Sequence, residues 1–67
     1  MATYKKIEVV GTSSKSVADA VKSAVSGAGK SVRNMSWFEV AEIRGAINGC
    51  EVSVFQVTVR IGFKVES

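Results

Sequence analysis

Trp37 and Phe38 stand side by side in the stretch SWFEVAEIRG. In an extended strand, adjacent side chains point to opposite faces of the sheet. One ring can join a core, and the other needs a different cover. An uncovered indole suits stacking on a flat aromatic ligand. Gln56, further along the chain, carries an amide donor and acceptor together, which matches the alternating groups on a pyrimidine-like edge. Arg44 and Arg60 are cations near the same residues. Two other readings use the same side chains. One is a subunit interface, because exposed Trp and Met on long strands need cover. The other is a platform for single-stranded nucleic acid, for which a lone exposed aromatic is thin. Pattern alone leaves these readings open.

The residue inventory argues against an enzyme. With no histidine and one cysteine, no Ser-His or Cys-His pair can form. Glu8, Asp19, Glu39, Glu42, Glu51 and Glu66 fall at no paired or metal-binding spacing. The segment GAGKS at Gly27 to Ser31 resembles the end of a phosphate-binding loop, but it lacks the first glycine at the required spacing and a preceding strand. Cys50 beside a turn reads as filler ahead of a reactive thiol.

A chain of 67 residues makes one domain, 1–67, and such a chain buries only about 60% of the surface its unfolded form exposes. Small domains add disulfides, metals or partners to compensate. A single cysteine excludes an internal disulfide, and no Cys/His cluster suits zinc. Self-association is left as the support, in keeping with a mean hydropathy of +0.20 and 46% hydrophobic residues. The net charge of +3 suits a phosphate-bearing ligand or nucleic acid, but the lysines are scattered and read more simply as solvated surface. No signal peptide or bilayer-spanning run is visible, so the expected setting is cytoplasmic, without membrane contact.

These side chains need elements to position them. Tyr4 to Val10 is rich in β-branched residues and reads as a strand, broken at Gly11, with a Ser or Thr of GTSS capping the next element. From about Lys15 to Ser31, Val17, Ala20 or Val21, Ala24, Val25 and Ala28 form a helical stripe of small residues. Gly27 and Gly29 weaken its last turn by roughly 1 kcal/mol each relative to alanine. Two long strands follow, Val32 to Ile47 and Glu51 to Glu66, joined at Asn48-Gly49. On the second, Phe55, Val57, Val59, Ile61, Phe63 and Val65 share one face; Gln56, Thr58, Arg60, Gly62 and Lys64 share the other. The fold class is α+β: β-α-β-β, with one helix across a three-stranded antiparallel sheet. Phe38 and Val40 join the core beneath the helix, and Trp37 and Met35 take the open face. An ideal turn pairs Ile47 with Cys50, Ala41 with Gln56 and Trp37 with Arg60, unless bulges intervene.

YKKIEVVGTS, a short Ala/Val-rich helix, SWFEVAEIRG and FQVTVRIGFKVE, in this order and spacing, together resemble the dodecins over nearly the whole chain. The resemblance implies β-α-β-β subunits assembled into a hollow homo-dodecamer that binds flavin and is not an enzyme. It implies that Trp37 stacks on the isoalloxazine and Gln56 hydrogen-bonds its pyrimidine edge. Arg44 is implied at ligand phosphate or subunit contacts. It further implies storage, buffering or photoprotection of FMN or riboflavin ahead of FAD, with FMN favoured by the positive charge. Some relatives carry Arg where this chain has Lys64, which keeps the charge without the bidentate fork. Cys50 has no role that the resemblance supplies. The alternative is a homo-oligomeric scaffold without flavin, or a binder of another flat or phosphate-bearing ligand such as coenzyme A. Nucleic acid is not among the expected partners.

Overall fold

A computed structural model describes residues 1–66; Ser67, the last residue of the expected domain, lies outside them. The element order is β1 (Tyr4–Ser13), α1 (Val17–Ala28), β2 (Met35–Asn48) and β3 (Glu51–Lys64). The strands form one antiparallel sheet in the order β1-β3-β2, and the helix lies on one face, as the patterning predicts. β3 is central, and it carries the cleanest alternation of the three. Val57, Val59 and Ile61 on β3 are buried against Ala20, Ala24 and Ala28 of the helix, with Ile7, Val9, Val17, Val21, Val25, Met35 and Phe55 around them. Among the described residues, no helix is long and apolar enough to cross a membrane.

Ser16 caps the helix. Its backbone is extended and its hydroxyl accepts the amide of Asp19 at 3.0 Å, which satisfies one of the free donors of the first turn. Asp19 places a negative charge at the positive end of the helix dipole and accepts the Ser13 hydroxyl at 2.7 Å. The helix ends at Ala28, where Gly29 follows. The glycines shorten it from the expected Lys15–Ser31 range in the way their propensity implies.

Gly11 does not end β1; the strand continues to Ser13. The glycine instead admits the helix. A Cβ at Gly11 would lie 2.7 Å from the Ala24 Cβ and 2.8 Å from its amide nitrogen. The small-residue stripe of the helix and this glycine together bring backbone close to backbone.

The hairpin corrects the expected register. Asn48 pairs with Glu51, so the loop is Gly49-Cys50 rather than Asn48-Gly49. Gly49 has φ of +66°, and Cys50 is not among the residues with positive φ. Positive φ at the first central position alone is the pattern of a II′ turn, not I′. Three irregularities then break the β2–β3 ladder: between Met35 and Trp37, Val40 and Glu42, and Ala46 and Ile47. The extra residue Ser36 turns Met35 over to the helix side, where it packs on the core; the expected open-face position for Met35 is wrong for that reason.

Phe38 and Val40 require a second correction. They pair with Ile61 and Val59, which puts them on the helix side as expected. Yet they are 53% and 42% exposed, because the helix sits mainly over β1 and β3 and meets β2 chiefly near Met35. A 12-residue helix spans about 18 Å, whereas a 14-residue strand spans roughly 46 Å. The hairpin therefore overhangs its only cover.

Candidate functional site

Cross-strand pairing orders the face opposite the helix into rows. From β2 through β3 to β1 they run Trp37–Gly62–Lys6, Glu39–Arg60–Glu8, Glu42–Thr58–Val10 and Arg44–Gln56–Thr12. Tyr4 and Lys64 flank the first row. Trp37 faces Gly62, not Arg60, and Gln56 faces Arg44, not Ala41. The displacement along β3 is two residues at Trp37, so each side chain keeps its face. The bulge at Ala41 then moves the open-face positions of β2 from odd to even numbers, and this brings Arg44 onto the same face as Trp37.

The indole has a floor. A Cβ at Gly62 would fall among three atoms of the Trp37 ring, so the ring lies directly over the β3 backbone, and Trp37 as a whole is 41% exposed. Tyr4 stands to one side, its ring centroid 5.3 Å away and tilted by 58°, within the range of favourable aromatic pairs. On the other side, Nε1 of Trp37 donates to Oε1 of Glu39 at 3.5 Å, a long contact at the weak end of hydrogen bonding. The same oxygen receives the Lys6 ammonium at 2.6 Å, and the lysine reaches it across β3. Arg60 donates from Nε to Glu8 at 3.0 Å. Lys6, Glu39, Arg60 and Glu8 thus form a charge-balanced patch beside the ring. The Lys6 hydrogen bond, and after it that of Trp37, holds the Glu39 carboxyl below its ordinary range.

Gln56 is half-buried in the middle of β3, with the exposed Arg44 beside it. It lies six positions from Gly62, the residue beneath the indole, which is roughly 20 Å along a strand. A three-ring heterocycle cannot touch both in one subunit. The structure thus places the three expected site residues on one face and brings Gln56 and Arg44 together, but it keeps Trp37 apart from them. Gly62, Tyr4, Lys6 and Glu39 were missed. Glycine inside a regular strand is a signal of close approach, but naming what approaches it requires the register.

A small β-α-β-β fold, one helix on a three-stranded antiparallel sheet with a seated indole and a distant amide on its open face, defines the structural class. Comparison with known proteins gives the class its family. The dodecin family model matches residues 3–66, and the chain belongs to the dodecin family. It is 44% identical over 63 residues to a dodecin from Thermus thermophilus, covering 94% of this chain and 91% of that one. A crystal structure of a Thermus thermophilus protein superposes with a TM-score of 0.95 at 42% identity, covering 100% of this chain and 98% of that one. The dodecin from Streptomyces coelicolor gives a TM-score of 0.93 at 42% identity, covering 98% and 94%.

Proposed function

We propose that this protein is a non-catalytic flavin binder whose sites form between subunits of a homo-dodecamer. The observation that carries the reading is the division of the open face: a seated indole at one end, a Gln-Arg pair roughly 20 Å away, and no means for one subunit to apply both to one ring system. The residues fit the ligand. The indole over Gly62 offers a flat apolar plane of the kind an isoalloxazine stacks on. The Gln56 amide of a neighbouring copy supplies one donor and one acceptor for its pyrimidine edge. Arg44 next to Gln56 is suited to a ribityl phosphate or to a subunit contact.

An excited flavin accepts an electron from an indole in van der Waals contact, so the expected consequence of stacking is quenched fluorescence. Binding that deactivates the ligand serves sequestration, buffering or photoprotection rather than turnover. FMN and riboflavin are the favoured ligands, and the setting we propose is the cytoplasm.

Titration of riboflavin and FMN fluorescence with the purified protein tests this directly. Strong quenching that saturates near one flavin per subunit is the expected result, and tighter binding of FMN would assign phosphate recognition to the cationic side chains. An assembled protein that quenches neither flavin would overturn the reading and leave a homo-oligomeric scaffold, with coenzyme A the next ligand to try.

A further inference from the structure

Trp37 is fenced before any ligand arrives. Gly62 lies beneath the ring, Tyr4 borders one side and the Lys6–Glu39 pair borders the other. Glu39 is next but one to Trp37 on β2, so both side chains take the same face. Lys6, two strands away in the row of Trp37, reaches diagonally across β3 to Glu39 in the next row. We propose that Glu39, anchored by Lys6, is a positioning residue of the stacking site: it holds the indole by its Nε1 edge flat over Gly62 and so presents one ring face to the ligand. The inference deepens the flavin reading and rests on it for the identity of that ligand.

A fixed platform binds more tightly than a mobile one, because less side-chain freedom is lost when the ligand docks. The device also has a pH dependence. The groups facing Glu39 are Lys6 and Glu8 from β1, Arg60 from β3 and Trp37 from β2; the helix lies on the other face. With its carboxyl lowered by Lys6 first and Trp37 second, Glu39 is anionic at neutral pH and the fence is closed. It opens as the pH falls through that lowered value, when protonation removes the charge that Lys6 holds.

Trp37 is the single tryptophan of the chain, which makes its emission a direct readout in the ligand-free assembled protein. Emission followed from neutral pH to pH ~3 is expected to show a transition with its midpoint below the ordinary Glu value of about 4.3. Lys6→Met should move the midpoint up towards that value, and Glu39→Gln should abolish the transition. Gel filtration and far-UV circular dichroism of the same samples separate this local change from dissociation. At neutral pH, Glu39→Gln should weaken riboflavin binding by about twofold to tenfold, the equivalent of ordering one side chain. A Glu39→Gln protein that reproduces the parent's emission transition, or binds riboflavin equally well, overturns the proposal and leaves flavin binding intact. A parent protein that shows the transition yet quenches no flavin overturns the flavin reading and supports the Glu39–Trp37 coupling by itself.

Discussion

Trp37 depends on a neighbour that has no side chain. Replacing Gly62 would put a Cβ where the indole now lies, and the ring would have to rotate off the sheet. Alanine suits a strand better than glycine, so Gly62→Ala should leave the thermal midpoint of the protein within a few degrees while weakening riboflavin by about tenfold or more, the loss of one stacking contact. Fluorescence titration beside a thermal melt reads both quantities, and a variant that binds flavin like the parent would show that the floor does not matter. Trp37→Ala should remove most binding, since stacking on an aromatic is worth ~1–3 kcal/mol per ring, and should leave assembly in place. The importance of the indole is readable from two adjacent aromatics and a period of two. That of Gly62 is not, because a strand's own sequence does not say which residue of its partner lies opposite.

The helix and its strand show the same limit. The alternation of β3, the switch to a helical period after the GTSS segment and the paired glycines at the helix end all specify their elements locally, and the elements are found where those signals place them. Gly11 reads locally as a strand terminator, yet it serves a contact made by a helix that begins six residues later. Filling that contact should loosen the docking of α1. Gly11→Ala forces atoms into a closely packed junction, and overpacking of this kind costs typically 1–3 kcal/mol. The expected outcome is a lower midpoint in chemical denaturation with an unchanged slope. Equal stability of the variant and the parent would mean that the helix can retreat freely. The bulges at Ser36, Ala41 and Ser53 were equally hidden. They arise from how two long strands twist together, and each one decides the face of the residues beyond it, Met35 and Arg44 included.

The whole subunit is 51 × 19 × 13 Å, with a radius of gyration of 13.7 Å, against roughly 11 Å for a compact chain of this length. The excess is the hairpin that the helix cannot cover. Along its helix side, Phe38, Val40, Ile43, Ile47 and Val52 are all exposed, and they form an apolar strip that continues the core outward along β2. Hydrophobic patterning alone assigns Phe38 to the subunit core, because pattern distinguishes the faces of a sheet but not how far a single helix extends over one of them. The strip is the surface we expect neighbouring copies to bury in the proposed dodecamer, and burying one such large apolar side chain is worth about 1.5–3 kcal/mol. Phe38→Ala should therefore act on assembly before it acts on the fold. The contacts of α1 with Val57, Val59 and Ile61 do not involve Phe38, so the subunit's secondary structure should persist. The assembled species should nevertheless dissociate at a higher protein concentration or a lower denaturant concentration than the parent. Because the Trp37 plane and the Gln56 amide meet only between copies in the proposed site, flavin quenching should fall in step with the assembled fraction measured by gel filtration. Quenching that survives in dissociated subunits would place the whole site within one chain, contrary to the separation of Trp37 and Gln56 along the sheet.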